Sequence, residues 1–311
     1  MRFRKLIIRD YAELLGEDVG TINNLCGTEI KKSNLAFRKL TPDERDDIIL
    51  NVLKRIDSDD LPIAGPKNKN RWEKGWGENL INFKKRNYDL TELVPKFIRP
   101  NQPIRFRGDY VMPKQIDFEL KFYEIFRKLL FKKYLKEVDN VYEFGCGTGF
   151  NLVELTKIYP SLELHGLDWV LESKEIIKIV AKQYNLNIHG HLFDMLAPNK
   201  NFKVKRKSAV VLIGALEQLG ENFKKLISYL IAQKPEVVIH VDSIDALYDT
   251  DNLSVYLALL HDRKRNYLKN YLYFMKNLES KGKIKFIKIQ KIPCGGLYHD
   301  GYSYDIWKVI S

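Results

Sequence analysis

The residues best suited to bind a ligand lie where a short apolar stretch, Val141–Phe144, leads into three glycines at alternate positions. Gly145, Gly147 and Gly149 allow a sharp backbone turn and leave room for a ligand to approach the main chain. A helix predicted to include Asn151 would offer free N–H groups to a polar ligand. The spacing G-x-G-x-G differs from the dinucleotide pattern G-x-G-x-x-G. The turn therefore predicts a polar ligand site, with a plain tight turn or a dinucleotide site as the alternatives.

Carboxylates follow the next two predicted strands. Asp168 ends the second strand, 19 residues after Gly149, where it can accept both hydrogen bonds of a ribose diol. Asp194 ends the third strand and can accept a hydrogen bond from an adenine amino group. One acid at a strand end is often only a helix cap. Together with Glu143, these ordered acids around one glycine turn indicate a ligand that contains a nucleoside.

The sequence around these residues resembles class I S-adenosylmethionine-dependent methyltransferases. The matching stretches are E-F-G-C-G-T-G-F-N from Glu143, L-D-W ending at Trp169, and F-D-M ending at Met195. The resemblance covers about 170 residues, from Asn140 to the C-terminus. It implies S-adenosylmethionine as the cofactor and a seven-stranded sheet whose last strand is antiparallel.

The resemblance also implies a role for individual residues. Glu143 would approach the methionine amino group through the glycine loop, and Asp168 would hold the ribose hydroxyls. Asp194, with Met195, would contact the adenine, and Trp169 either packs on the adenine face or is a core tryptophan. The implied cofactor-binding residues are Glu143, Gly145, Gly147, Gly149, Asn151, Asp168, Trp169, Asp194 and Met195.

Three residues near the ends of later strands are candidate general bases. Glu217 follows the fourth strand and either accepts a proton or caps a helix beginning near Gly220. His240 lies two residues before Asp242 on the fifth strand and faces the same side; it is either a base or a hydrogen-bonded core residue. His299 lies in a glycine-containing hairpin before the last strand. Ligands of open α/β sheets bind beyond the carboxyl ends of the strands, so all three candidates are expected to line one cavity.

A long insertion, residues 244–282, separates the fifth and sixth predicted strands. It is expected to form one or two helices over the cleft. Its run from His261 to Arg265 is basic and suited to holding a phosphate or sugar-nucleotide group. The alternative is an ordinary solvated helix face.

The elements that must position these residues follow from the hydrophobic pattern. From Asn140 onward, seven apolar strand candidates alternate mainly with helical stretches, which predicts an α/β fold with a doubly wound, mostly parallel sheet. The resemblance makes this a Rossmann-like methyltransferase fold. A helix is predicted over residues 117–138, directly before the sheet.

The N-terminal third has a different character. Residues 1–60 are predicted to be largely helical, with a strong helix start at Thr41. Residues 71–116 are rich in Trp, Gly and Pro and are expected to be irregular. Two stretches, Trp72–Leu80 and Arg99–Tyr110, are similar to an uncharacterised group of bacterial methyltransferases. We interpret 1–116 as a substrate lid and 117–311 as the cofactor-binding domain.

Composition narrows the class of protein. The 311 residues are 45% hydrophobic and carry a net charge of +12, but the excess is spread along the chain, which argues mildly against a nucleic-acid partner. No apolar run reaches the roughly 18–20 residues of a spanning helix, so no membrane insertion is expected. Three distant cysteines have neither disulfide nor zinc spacing, so no metal is expected and a cytoplasmic location is favoured.

These observations predict a transferase that uses S-adenosyl-L-methionine to methylate a small or medium polar substrate, such as an activated or phosphorylated sugar. Two alternatives stay open. One is an RNA or protein methyltransferase that uses the positive charge. The other is a protein that binds the cofactor without catalysing methyl transfer.

Overall fold

A computed structural model describes residues 2–310 and contains two β-sheets flanked by helices. One sheet has seven strands from the C-terminal part of the chain, and the other has five shorter strands. The strands are β1 (Arg4–Lys5), β2 (Ala36–Lys39), β3 (Ile104–Phe106), β4 (Asp109–Pro113), β5 (Asn140–Phe144), β6 (Glu163–Asp168), β7 (Ile188–Leu192), β8 (Ser208–Ile213), β9 (Val237–Val241), β10 (Ile284–Gln290), β11 (Cys294–Gly295) and β12 (Tyr304–Val309).

Helices surround both sheets. They are α1 (Ile8–Leu15), α2 (Val19–Ser33), α3 (Pro42–Asp57), α4 (Lys69–Lys85), α5 (Phe118–Tyr134), α6 (Phe150–Ile158), α7 (Leu171–Tyr184), α8 (Phe223–Gln233), α9 (Leu253–Lys264) and α10 (Tyr271–Ser280). Short 3-10 turns cover Pro66–Asn68, Leu90–Leu93, Leu216–Asn222 and Asp245–Leu247. The predicted helix before the sheet is α5, and the predicted insertion helices are α9 and α10.

The large sheet confirms the predicted fold class. Its strand order is β10-β12-β9-β8-β5-β6-β7. Strands β5 to β9 pair in parallel, whereas β12, the last strand, runs antiparallel to both β9 and β10. The order reverses at β5, which lies between β6 and β8. A reversal of this kind opens a crevice at the carboxyl ends of the strands, where open α/β sheets bind their ligands.

The core explains why the central strands are continuously apolar. Every residue of β5 and of β9 is buried, because helices cover both faces of the sheet. Alternate residues of β5 point to opposite faces: Val141 packs in one cluster with Leu152 of α6, and Tyr142 packs in a second cluster with Leu226 of α8. The rigid centre of the sheet thus fixes the direction in which its strand ends point.

The N-terminal part is more regular than the sequence indicated. The helix start at Thr41 is confirmed, since its hydroxyl accepts a hydrogen bond from the backbone N–H of Glu44 at 3.2 Å. The expectation that residues 71–116 are irregular was wrong in part: α4 covers Lys69–Lys85, and β3 and β4 form a hairpin. Glycine costs a helix about 1 kcal/mol per residue. In α4 this cost is offset by packing, which buries Phe83 completely.

The five-stranded sheet joins the two parts of the chain. Its strand order is β1-β2-β4-β3-β11, so the outermost strand, β11, comes from the C-terminal part. One hydrophobic cluster also runs from Leu6 and Ile22 through α5 to Ile306. The division into a lid, 1–116, and a cofactor domain, 117–311, remains a prediction within this continuous packing.

Residues 2–310 contain neither a membrane-spanning helix nor a cluster of metal-binding side chains. Within that range no helix is long and apolar enough to cross a membrane. Over the same residues, no three side chains of the His, Cys, Asp and Glu types are arranged to hold a metal ion.

Candidate active site

A cavity of about 580 Å³ opens at the crevice beyond the strand ends. This volume lies within the range of about 300–1,000 Å³ that is usual for small-molecule sites. The glycine turn and the ends of β6 and β8 form one wall, and the hairpin between β11 and β12 forms another. Trp72 and Trp76 of α4 cover it from the N-terminal part, with their rings stacked 5.4 Å apart.

The glycine turn needs glycine for its conformation and for its close contacts. Gly145, Gly147 and Gly149 all have positive φ angles, of 75°, 53° and 75°. A Cβ on Gly145 would lie 2.5 Å from the Cβ of Ala215, and one on Gly147 would lie 2.7 Å from Cζ2 of Trp76. Gly145 and Gly147 line the cavity, whereas Gly149 is the left-handed residue that begins α6 and does not line it.

Glu143 presents an unpartnered carboxylate oxygen at this wall. Its side chain is buried, and Oε1 accepts a hydrogen bond from Nδ2 of Asn151 at 2.7 Å. Among the described residues, Oε2 has no hydrogen-bond partner. Burial raises the pKa of Glu143 to about 8, although Asn151 and Arg127 act to lower it. A buried acceptor without a partner is costly unless a ligand supplies the missing donor.

A buried arginine that sequence reasoning missed holds Asn151 in place. Nη1 of Arg127, on α5, donates to Oδ1 of Asn151 at 3.0 Å, and the hydroxyl of Tyr123 donates to the same oxygen at 2.8 Å. The guanidinium carbon of Arg127 lies 3.9 Å from the centre of the Phe150 ring. These contacts orient the amide of Asn151 so that it donates to Glu143. The signal in the sequence was an arginine on the apolar side of the predicted helix 117–138.

Asp168 lines the cavity and also supports the glycine turn. Its Oδ2 accepts a hydrogen bond from the backbone N–H of Gly147 at 2.9 Å, and its Oδ1 accepts one from Val170 at 3.3 Å. Each oxygen has further lone-pair capacity for a ligand hydroxyl. Burial raises the pKa of Asp168 to about 6, against the lowering effect of these backbone bonds.

The remaining predicted cofactor contacts lie along the next strand ends. Trp169 is half-buried and lines the cavity, so it is not a core tryptophan. Asp194 is exposed at the cavity, and its Oδ1 accepts a hydrogen bond from the backbone of Leu196 at 2.8 Å. Met195 lies with Cε 3.2 Å from the position of a Cβ on Gly145. An apolar face and a hydrogen-bond acceptor therefore lie together here, as an aromatic base would require.

Glu217 faces the far side of the same cavity and is not a helix cap. It lies in the 3-10 turn Leu216–Asn222, and α8 begins only at Phe223. Its side chain is buried, and Oε2 accepts a hydrogen bond from the hydroxyl of Ser243 at 3.2 Å. Oε1 accepts from Nε2 of Gln218 at 3.1 Å.

His299 also lines the cavity, on the hairpin between β11 and β12. A buried ion pair next to it, Nε of Arg105 to Oδ1 of Asp300 at 2.9 Å, ties this hairpin to β3. Nδ1 of His299 lies 3.8 Å from Oδ1 of Asp262 and has no hydrogen-bond partner among the described residues. The side chain as a whole is 27% exposed and lines the cavity.

The expectation for His240 was wrong. His240 is fully buried and does not line the cavity. Its Nε2 lies 2.8 Å from Oδ2 of Asp242, and its Nδ1 lies 2.7 Å from Oδ2 of Asp305 on the neighbouring strand β12. Burial by itself lowers the pKa of His240, but the carboxylates of Asp305 and Asp242 raise it to about 10. An imidazole held between two buried carboxylates, away from the cavity, belongs to a structural ion cluster rather than acting as a base.

Sequence reasoning also missed two further titratable residues that line the cavity. His261 of α9 lines the cavity with Nδ1 3.1 Å from Oδ1 of Asp262, and burial lowers its pKa to about 3. Glu119 of α5 also lines the cavity, where its Oε1 accepts a hydrogen bond from the hydroxyl of Tyr302 at 2.9 Å and burial raises its pKa to about 7. His261 was missed because the run from His261 to Arg265 was interpreted only as a basic cluster. Glu119 was missed because it lies in a predicted helix, away from the glycine turn and the strand ends.

Similarity to known proteins is found among solved structures. No family model matches the sequence, and no curated protein matches it. Among solved structures, magnesium protoporphyrin IX methyltransferase from Synechocystis with bound S-adenosylhomocysteine has a TM-score of 0.45 at 15% identity, over 63% of this chain and 87% of that one. A putative S-adenosylmethionine-dependent methyltransferase from Methanococcus maripaludis has a TM-score of 0.43 at 14% identity, over 62% and 87%. The [4+2]-cyclase SpnF has a TM-score of 0.47 at 13% identity, over 75% and 77%.

The seven strands and the antiparallel last strand are the arrangement that the resemblance implied. The chain therefore has the seven-stranded α/β fold of class I S-adenosylmethionine-dependent methyltransferases. The fold by itself does not fix the chemistry, which has to be argued from the site.

Proposed function

We propose that this protein is an S-adenosylmethionine-dependent methyltransferase that acts on a small or medium polar substrate. The observation that carries the proposal is the unpartnered Oε2 of Glu143, buried in the cavity wall beside the glycine turn. A carboxylate oxygen there suits an ammonium group, which supplies a charged donor. Asp168 stands on the same wall at the end of the neighbouring strand.

The residues of this wall fit the parts of S-adenosylmethionine in order. Glu143 would accept hydrogen bonds from the amino group, and Asp168 from the ribose hydroxyls. Trp169 and Met195 would pack against the adenine, and Asp194 would accept a hydrogen bond from its amino group. Gly145 and Gly147 would keep the wall free of side chains where the ligand approaches the backbone.

The bound cofactor would supply an electrophilic methyl group. The chain's own task is then to place an acceptor in line with that group and, where the acceptor carries a proton, to remove it. Glu217 and His299 are the candidate bases, because both line the cavity and each has a side-chain atom able to accept a proton. Ser243 orients Glu217 through its hydroxyl, and Arg105 with Asp300 positions the hairpin that carries His299.

The size and depth of the cavity support a small substrate over RNA or a protein chain. Its lining residues come from the N-terminal helices, the strand ends and the final hairpin, which surround the space from several sides. The cavity also extends past the proposed cofactor wall to Glu217 and His299, as an enzyme requires and a protein that only binds the cofactor does not. We place the protein in the cytoplasm as part of this proposal.

Replacing Asp168 with alanine tests the cofactor assignment. We expect the affinity for S-adenosylhomocysteine to fall by about 1–3 kcal/mol, because buried ribose hydroxyls would lose a charged acceptor. Isothermal titration calorimetry measures the change. Asp168→Asn is the matched comparison, since it keeps the shape of the side chain and one acceptor oxygen for the backbone N–H of Gly147, but removes the charge and replaces the second acceptor with an NH2 donor. Unchanged affinity in Asp168→Ala would remove this residue from the cofactor site.

The affinity for S-adenosylhomocysteine should also depend on pH through Glu143. The pKa of Glu143 is about 8, so at lower pH its carboxyl is protonated, and binding an ammonium group must release that proton. Affinity should rise from pH 6.5 to 7.5 by up to about tenfold, the limit for one released proton. The pKa of Asp168, about 6, lies below this range.

Calorimetry in two buffers of different ionisation enthalpy counts the released protons. Glu143→Gln should remove the pH dependence, because an amide has no proton to lose in this range. An equal proton release in Glu143→Gln would contradict the assignment of the amino group to Glu143.

A further inference from the structure

Three arginines from separate parts of the fold line the acceptor side of the cavity, which is the side of Glu217 and His299. Arg55 lies in the last turn of α3, Arg71 in the first turn of α4, and Arg265 directly after α9. All three line the cavity. The sequence places them far apart, and only the packing of these helices brings their guanidinium groups to one space.

Arg265 is held in position by contacts that leave the end of its guanidinium free. Its Nε donates a hydrogen bond to the carbonyl of Pro62 at 2.9 Å, and its carbonyl accepts one from the N–H of Ala64 at 2.7 Å. Its guanidinium carbon lies 4.6 Å from the centre of the Tyr267 ring. Stacking and a backbone bond orient a guanidinium without neutralising it, so its terminal nitrogens remain able to bind an anion.

The positive charge of the three arginines is only partly balanced by protein carboxylates. Arg55 pairs with Asp60, from Nη1 to Oδ1 at 2.6 Å. Within residues 2–310, neither Arg71 nor Arg265 forms a salt bridge. The pKa of Arg71 is lowered by partial burial and by repulsion from Arg265 and Arg55. Like charges held together around a cavity favour an anionic ligand between them.

The arginines lie on the side of the cavity where the candidate bases stand. Burial is the main reason that the pKa of His261 is low, and the nearby charges of Arg265 and Arg55 lower it further. His261 shares the carboxylate of Asp262 with His299, at 3.1 Å and 3.8 Å. An anion bound by the arginines would therefore lie near His261 and His299, whose rings are 5.6 Å apart, where the methyl acceptor is proposed to bind.

We propose that Arg71 and Arg265, assisted by Arg55, bind an oxyanion group of the substrate. The substrate class is then a polar small molecule in which a phosphate or carboxylate group accompanies the atom to be methylated. Guanidinium groups recognise both oxyanions through paired hydrogen bonds. The inference rests on the proposed function, because it takes the cavity to be the active site of a methyltransferase. It concerns only the residues that bind the substrate.

The test measures binding of inorganic pyrophosphate and of malonate by calorimetry, each to the full chain saturated with S-adenosylhomocysteine. Saturation keeps the probes out of the cofactor site, and the two probes distinguish a phosphate from a carboxylate ligand. Arg71→Gln and Arg265→Gln should each weaken binding of the preferred probe by about tenfold, and the double variant by about a hundredfold. The control pair, Lys276→Gln and Lys285→Gln, removes the same charge from exposed positions outside the cavity and should leave probe affinity unchanged.

Separate titration of S-adenosylhomocysteine keeps the two proposals distinguishable. Each arginine variant should bind it with wild-type affinity, which also shows that the variant is folded. Failure of the wild-type protein to bind either probe, or equal probe affinity in the wild type and both single variants, would overturn the oxyanion site while leaving the methyltransferase proposal in place. Absence of S-adenosylhomocysteine binding in the wild type, with arginine-dependent probe binding to the unliganded chain, would overturn the methyltransferase proposal and keep the oxyanion site.

Discussion

Replacing Gly147 with valine is expected to abolish binding of S-adenosylmethionine while the chain remains folded. The residue has a φ of 53°, which a β-branched side chain rarely adopts. Its Cβ would lie 2.7 Å from Cζ2 of Trp76, at the wall where the cofactor is proposed to approach the backbone. The added methyl groups would therefore fill ligand space and displace the indole that covers it.

A matched control separates lost ligand space from backbone strain. Gly282 has a similar φ, 65°, and no heavy atom within 4 Å of a Cβ built on it. Gly282→Val should therefore cost comparable strain and leave cofactor affinity unchanged. Circular dichroism and thermal unfolding report the fold of both variants, and calorimetry with S-adenosylhomocysteine reports binding. A folded Gly147→Val protein that binds with near wild-type affinity would contradict the assignment of the glycine turn.

Loss of the base is expected to lower turnover by about 10²–10⁴-fold, the usual contribution of a positioned general base. The variants are Glu217→Gln and His299→Gln, and we expect the large effect in whichever residue removes the acceptor's proton. The fall should appear in kcat, with little change in affinity for S-adenosylhomocysteine, because both residues lie on the acceptor side. The acceptor needed for the assay is found by screening metabolites with radiolabelled cofactor.

His240→Ala provides the contrast, since His240 belongs to a buried ion cluster. Removing it leaves the carboxylates of Asp242 and Asp305 buried without their partner, which should cost about 3–5 kcal/mol in the free energy of unfolding. Chemical denaturation measures this loss. Normal turnover in both Glu217→Gln and His299→Gln would mean that the acceptor needs no protein base. Wild-type stability in His240→Ala would contradict the ion cluster.

The wall to which we assign the cofactor could be located from the sequence because its parts are local. A buried strand, a glycine turn and the start of a helix lie within about a dozen residues of one another, so the chain itself aligns Glu143, Gly147 and Asn151. Asp168 could be placed because parallel strands bring their carboxyl ends to one edge. The alternation of strands and helices similarly predicted the seven-stranded sheet that the structure contains.

Pairing between distant segments of the chain determined which candidate bases line the cavity. Antiparallel pairing of β12 with β9 places Asp305 opposite His240, and this carboxylate, with Asp242, holds the imidazole as a buried cation. Glu217, in contrast, lies in a turn, and its side chain lines the cavity. The spacing of residues in the sequence does not distinguish a residue of a buried ion cluster from a residue that lines the cavity. The local sequence around a strand histidine is the same whether a carboxylate or a cavity faces it.

The sequence by itself determined the fold class and the residues of the proposed cofactor wall, since both follow from short-range periodicity and from residues at strand ends. The tertiary structure decided the substrate side and the contacts that support the proposed cofactor wall from behind. Arg127 reaches Asn151 only because α5 packs beside α6, and Arg71 meets Arg265 only because α4 and the end of α9 border the same cavity. These contacts join residues far apart in the chain, and their burial and charge are set by three-dimensional packing.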